Sequence, residues 1–271
     1  MDFARIHFYF LLKGLQMLAF IKRFIKALIP DPLLHRCYYP YRWQLHNARV
    51  LAKEYNQLES MQKWQCINKH GEPLAWITYP CLDYLEGLDF SGKKIVEWGG
   101  GYSSLYWGRK AKFVVSIESD KKWYERIAPR ILPHNKIYLK ESILVADDLS
   151  DYARFPLSLG EKFDVIVIDG GDINGINTRL ECAKAALELL DTNSPQGAMI
   201  IVDNADWHSG VTRYLRESGL IQVDFSGFGP INCYTWSTSI FLTRNFAFTP
   251  KTPKQPQYSI DALHYEFDGT S

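Results

Sequence analysis

No two cysteines stand in a CxxC spacing and none clusters with histidines, which argues against a structural zinc site. The five present, Cys37, Cys66, Cys81, Cys182 and Cys233, are odd in number and widely scattered. That pattern fits reduced thiols in a cytoplasmic protein better than a disulfide framework. Charge of one sign is also lacking: 31 Lys and Arg against 30 Asp and Glu leave a net charge of +1. Without a global basic excess, no nucleic-acid partner is expected. No uncharged run reaches the roughly 18–20 residues that span a bilayer. No internal repeat is visible either.

The N-terminus is apolar but interrupted, reading "FARIHFYFLLKGLQMLAFIKRFIKALI". Lys13 breaks the run that a signal peptide would need, and no small-residue cleavage site follows. Wound as a helix, residues 13–29 place Met17, Leu18, Ile21, Phe24, Ile25 and Leu28 on one face, with Lys13, Gln16, Arg23 and Lys26 opposite. Two readings stand: peripheral contact with an anionic inner membrane face, or packing on the domain or on a second subunit of an oligomer.

Four segments are expected. A basic amphipathic helix over 1–30 comes first, and a helical extension over 31–90 follows, begun by Pro30, Pro32 and Pro40. An α/β domain then occupies 91–246, and a Pro-rich polar tail over 247–271 is expected to hang loose. Within the α/β domain, β-rich runs alternate with helical ones. The runs are "KKIVEW", "KFVVSIE", "NKIYL", "FDVIVID", "GAMIIVD", "GLIQVDF" and "STSIFLT"; candidate helices fall at 102–110, 121–132, 176–190 and 208–218. Nearly continuous apolar strands such as "VIVI" and "MIIV" suit a parallel sheet covered on both faces. The alternation predicts a doubly wound, mostly parallel α/β sheet. In such folds ligands gather beyond the carboxyl ends of the strands, which directs attention to Glu97, Glu118, Asp169 and Asp203.

In "KKIVEWGGGYSSLYWG" a strand ends on Glu97 and is followed by Gly99, Gly100 and Gly101. Gly99 and Gly101 permit a tight turn and let a ligand approach the main chain. The third glycine of G-x-G-x-x-G is absent, replaced by Ser104. A carboxylate beside the loop suits an ammonium group better than a pyrophosphate, and S-adenosylmethionine carries such a group and no phosphate. Seventeen residues past Gly101, Glu118 ends the second strand, where an acid can accept hydrogen bonds from both ribose hydroxyls.

Through "ITYP", "VEWGGGYSS", "VVSIE", "FDVIVIDG" and "GAMIIVDN", the chain resembles the class I S-adenosylmethionine-dependent methyltransferases from about Pro73 to Arg244. The resemblance implies a seven-stranded Rossmann-like sheet whose last strand, "STSIFLT", inserts antiparallel. It implies that Glu97, Gly99 and Gly101 hold the methionine part, Glu118 the ribose, and Ser142 the neighbourhood of adenine, with Asp169 also at the cofactor.

Asp169, Asp203 and Asn204 close neighbouring strand tips, and such hard oxygen ligands suit Mg²⁺ or Ca²⁺. The set is similar to the Asp…Asp-Asn triad of cation-dependent O-methyltransferases, in which the ion orients and acidifies the acceptor hydroxyl. Where that pattern has a lysine base, this chain has Asp172. His208, in "DNADWHSG", is the first candidate base because an imidazole pKa near 6.5 suits neutral pH; Asp206 and Asp172 are its rivals. Trp207, Tyr234 and Trp236 fall near the same rim, where they would line an acceptor pocket or pack in the core. The expected activity is methyl transfer to a hydroxyl of a small molecule or glycan. The alternatives are a nicotinamide-dependent oxidoreductase, and a non-catalytic membrane-associated module retaining the cofactor fold.

Overall fold

A computed structural model describes residues 31–140, 151–173 and 176–265, in two units, Met1–Val50 and Leu51–Ser271. In the first unit α1 spans Tyr39–Arg49, with Pro40 in its opening turn, where the missing N–H leaves no bond unmade. No helix among the described residues is long and apolar enough to cross a membrane.

The second unit begins with α2 (Gln57–Lys63) and α3 (Tyr79–Glu86). Then come β1 (Lys94–Trp98), α4 (Tyr102–Gly108), β2 (Phe113–Glu118), α5 (Lys121–Ile127) and β3 (Lys136–Leu139). After α6 (Asp151–Arg154) and β4 (Val165–Ile168), a small hairpin pairs β5 (Asp172–Ile173) with β6 (Ile176–Asn177). The remainder is α7 (Arg179–Leu189), β7 (Met199–Val202), α8 (Ser209–Glu217), β8 (Ile221–Gly227) and β9 (Trp236–Leu242).

The seven long strands form one sheet in the order β3-β2-β1-β4-β7-β9-β8. Only β9 runs against the others, pairing antiparallel with β7 and β8. The chain winds outward from β1 to β3, then returns to the other side of β1 as β4. That reversal opens a crevice between the carboxyl ends of β1 and β4.

Both faces of the sheet are covered, which explains the unbroken apolar runs. Val96, Ile166, Ile168, Ile200 and Val202 face Tyr152, Cys182, Ala186, Leu189 and Leu215 of α6, α7 and α8. Their strand neighbours Ile95, Val165, Val167, Met199 and Ile201 face Leu82, Leu85, Tyr106 and Trp107 of α3 and α4. Each such aliphatic side chain contributes about 1.5–3 kcal/mol on burial.

Several expectations change. The helix expected over 121–132 ends at Ile127 and continues as one 3₁₀ turn, Ala128–Arg130, because Pro129 lacks the N–H that a longer α-helix needs. The helix expected from 176 begins at Arg179, since Ile176 and Asn177 pair with β5 instead. Residues 51–90 pack into the sheet domain: Thr78 Oγ1 donates to Phe225 O at 2.9 Å, and Ile77, Tyr79 and Leu82 are buried. The tail is anchored at its start, where Phe248 is buried against Phe90 and Asp89 N donates to Thr249 O at 2.9 Å. The amphipathic segment 13–29, Ser142 and the Asp172 side chain lie outside the described residues.

Candidate functional site

At the carboxyl ends of the strands lies a cleft of about 390 Å³. That volume falls within the range of small-molecule sites. One side carries Gly99, Gly100, Glu118, Ser119, Asp120 and Trp123, from the ends of β1 and β2. The other carries Asp169, Gly170, Arg179, Asp203 and Asn204, with Trp76, Trp207, Asn232, Tyr234 and Trp236 at its rim. A larger cavity, about 700 Å³, opens at the amino ends of the strands beside Asp83, Glu86, Tyr106 and Lys110. Its charges largely satisfy one another, with Lys110 Nζ 2.7 Å from Glu86 and Tyr55 Oη donating to Asp83 at 2.7 Å. The topology favours the smaller cleft.

The glycine turn is built by close backbone approach. Gly99 has φ +98°, and a Cβ there would lie 2.7 Å from Gly170 N. The turn after β1 therefore rests on the turn after β4, and the main chain of both is bared to the cleft. Gly101 differs, because a Cβ there would stand 2.8 Å from Trp123 Nε1, and it does not line the cleft. Trp123 is placed by α5, whose N-cap Asp120 accepts from Trp123 N at 2.7 Å.

Glu97 also lies elsewhere than expected. The alternation of β1 turns it to the face covered by α4, where it is fully buried beneath the loop. Its Oε1 accepts from Ser116 Oγ at 2.6 Å and from Ser104 Oγ, while Ser104 Oγ accepts from Gly101 N at 3.0 Å. Glu97 Oε2 has no hydrogen-bond partner among the described residues. Burial pushes this carboxyl up to about 7, against the pull of the serine hydroxyls. Because the folded pKa lies above the ordinary 4.5, the stability it contributes is complete below that value and is lost as pH rises through about 7. Glu97→Gln should therefore shrink the fall in melting temperature between about pH 5.5 and about pH 8.5. A wild-type slope left intact in the variant would assign the titration to other groups.

Glu118 sits where an acid was expected, at the tip of β2 and on the cleft wall. Its Oε1 accepts from the backbone N–H groups of Ser119 and Asp120, both at 2.7 Å, which fixes the carboxylate. Burial raises its pKa to about 7, with those bonds opposing and the charges of Asp120 and Glu97 adding to the rise.

The expected metal set does not fit an ion. Asp203 Oδ1 accepts from Thr238 Oγ1 at 2.5 Å and from Trp236 Nε1 at 2.9 Å, and its Oδ2 lies 3.1 Å from the same indole nitrogen. Burial and the nearby Asp169 charge push the Asp203 carboxyl up. A cation already occupies the gap between the strand tips. Buried Arg179 donates from Nη1 to Asp203 O at 2.6 Å, and from Nη2 to Asp169 O at 2.7 Å and Asn204 Oδ1 at 3.4 Å. The same Nη2 lies 4.0 Å from Asp169 Oδ1. Among the described residues no three His, Cys, Asp or Glu side chains converge to hold a metal.

The expected bases are displaced as well. A tight turn, with His208 N donating to Ala205 O at 3.2 Å, buries His208 away from the cleft and sends Trp207 to its rim. Asp206 is exposed and accepts from Ser237 N at 3.1 Å, closing the start of β9. Trp76, Ser119, Asp120 and Trp123 went unnoticed in the sequence. Asp120 alone carried a signal, as an N-cap residue opening a helix at the tip of β2.

No protein-family model matches the chain, and no curated protein matches it. Among solved structures, one match is a Streptococcus mutans protein assigned as a methyltransferase, in complex with SAH. It is 12% identical with a TM-score of 0.44, over 62% of this chain and 99% of that one. The N-methyltransferase NodS from Bradyrhizobium japonicum WM9, in complex with S-adenosyl-L-homocysteine, is 14% identical with a TM-score of 0.41, over 60% and 85%. An rRNA methylase from Streptococcus thermophilus is 12% identical with a TM-score of 0.42, over 62% and 98%. Each is a similarity of fold.

Proposed function

We propose that this protein is an S-adenosylmethionine-dependent methyltransferase acting on a hydroxyl of a small molecule or glycan. The observation that carries the reading is the charge of the cleft wall. Glu118, Asp120 and Asp169 line it beside the buried Asp203, and the one cation lining it among the described residues, Arg179, is committed to protein carbonyls. A pyrophosphate would meet no cation there, whereas a ligand bearing ammonium and sulfonium charges meets carboxylates. The order of the sheet and the bare turns at Gly99 and Gly170 support the same reading.

Glu118 would hold the ribose hydroxyls and the Gly99–Gly100 main chain the amino-acid part. The bound cofactor supplies an electrophilic methyl on a positively charged sulfur. The protein's contribution is chiefly to align the acceptor oxygen in line with that methyl. With His208 and Asp206 outside the cleft, Asp169, partly exposed on its wall, is the carboxylate placed to take the hydroxyl proton. No step is assigned to a metal, because two of the expected ligands are engaged, Asp203 by Trp236 and Thr238 and the Asn204 amide oxygen by Arg179.

Calorimetry with S-adenosylhomocysteine and with NAD tests the proposal; binding of NAD alone would reverse it in favour of the oxidoreductase. Glu118→Ala should weaken S-adenosylhomocysteine binding by about 1.5–3 kcal/mol, the usual worth of hydrogen bonds to a charged group. An unchanged affinity would remove Glu118 from the site. The proposal extends to the absence of a nucleic-acid partner, carried by the net charge of +1, and to peripheral attachment at an anionic membrane face through residues 13–29, carried by the Lys and Arg opposite their apolar stripe. Failure of the full chain to sediment with anionic vesicles would remove the attachment.

A further inference from the structure

The rim of the cleft on its β7/β9 side is aromatic and open. Trp207 is 60% exposed and Tyr234 47% exposed, large values for rings of this size. Their centroids lie 6.3 Å apart with planes inclined by 30°, so together they make a shallow platform. The platform is braced from beneath. Trp236 meets Tyr234 edge-on at 6.0 Å, is buried, and is locked by its indole N–H to Asp203. Trp76 is fixed through Nε1 to Asn232 Oδ1 at 2.9 Å. Trp236 thus supports the Tyr234 edge of the platform, which lowers the freedom lost when a ligand covers that ring.

The groups beside the platform are planar and polar. Asn232 commits its oxygen to Trp76, and Asn204 commits its oxygen to Arg179, so each retains its amide nitrogen as a donor. The Asp169 carboxylate adds an acceptor. An open aromatic face bordered by amide and carboxylate groups matches one ligand chemistry in particular. A pyranose ring presents a patch of C–H bonds on one face and hydroxyls around its edge. A planar phenol would instead be served by an apolar slot enclosing both of its faces, and here the two platform rings are 60% and 47% exposed.

We infer that the methyl acceptor is a pyranose sugar, stacked on Trp207 and Tyr234 with its hydroxyl edge toward Asp169, Asn204 and Asn232. The inference rests on the methyltransferase reading and narrows it. A sugar hydroxyl oxygen forms the new bond to the methyl carbon as the carbon–sulfur bond gives its electron pair to sulfur. The hydroxyl proton passes to the Asp169 carboxylate, so a neutral thioether and a methyl ether remain.

The test uses the full chain saturated with S-adenosylhomocysteine, titrated with methyl glycosides of hexoses, deoxyhexoses and uronic acids, and in parallel with phenols. At least one glycoside should bind and perturb tryptophan fluorescence. Trp207→Ala and Tyr234→Ala should each weaken that glycoside about tenfold, the loss of one stacked ring, while S-adenosylhomocysteine binds within about twofold of wild type. Both rings are exposed, so unchanged melting temperatures would show that the variants fold. Binding of S-adenosylhomocysteine with no glycoside response, a response to phenols alone, or glycoside binding indifferent to both substitutions would overturn the sugar assignment while sparing the methyltransferase reading. Failure to bind S-adenosylhomocysteine would overturn both.

Discussion

Gly99→Ala is expected to lower the melting temperature by about 5–15 °C and to abolish measurable S-adenosylhomocysteine binding. Two costs combine. An L-residue held at positive φ loses about 1–2 kcal/mol, and φ here is +98°. The added methyl would then stand 2.7 Å from Gly170 N and 3.0 Å from Asp169 C, which are backbone atoms that cannot swing aside. Forcing such an overlap adds about 1–3 kcal/mol. For a domain of this size each kcal/mol moves the midpoint by about 2–4 °C. Gly71→Ala separates the two costs, since Gly71 has φ +76° and nothing within 4 Å of the new Cβ. It should show the conformational cost without the clash, and leave binding intact. Equal melting temperatures for the two variants would mean that the turns after β1 and β4 do not rest on each other.

The parts legible in the sequence were those set by periodicity and by strand ends. "VIVI" and "MIIV" announced strands buried on both faces, and Glu118 and Asp169 announced tips that line the cleft. What stayed illegible was side-chain direction. Glu97 ends a strand as Glu118 does, yet the pleat turns it under α4, where Ser104 and Ser116 engage it. His208 and Trp207 are adjacent, and only the turn closed on Ala205 O decides which of them reaches the rim. The metal expectation had a similar origin. Asp169, Asp203 and Asn204 do meet at two strand tips, but the partners that engage them arrive from α7 and β9, remote in sequence. Trp76 lies still farther away and reaches the rim through its bond to Asn232.

Arg179→Met is expected to cost about 3–5 kcal/mol, the scale for stripping one partner from a buried charged network. Methionine nearly fills the space of the arginine stem but leaves Asp203 O and Asp169 O without the donors that now stand 2.6 and 2.7 Å away. It also removes the cation that opposes the rise of the Asp203 carboxyl, a rise driven by burial and then by the Asp169 charge. A carboxyl whose folded pKa is raised favours the folded state below its ordinary 3.8 and loses that contribution as pH climbs through the folded value. Raising it further penalises the anion more, so the deficit of the variant should stay level up to about pH 7 and widen as pH climbs through and beyond about 8, where the wild-type carboxyl ionises first. Arg179→Lys should recover only part of the loss, because one ammonium lacks the planar fork that reaches both carbonyls. Chelation with EDTA should leave the wild-type melting temperature unchanged, and added Mg²⁺ should not rescue Arg179→Met. If EDTA destabilised the wild type, or Mg²⁺ restored the variant, an ion would be sharing the work assigned here to the guanidinium. A deficit constant with pH would instead confine Arg179 to bridging the two carbonyls and leave the ionisation of Asp203 independent of it.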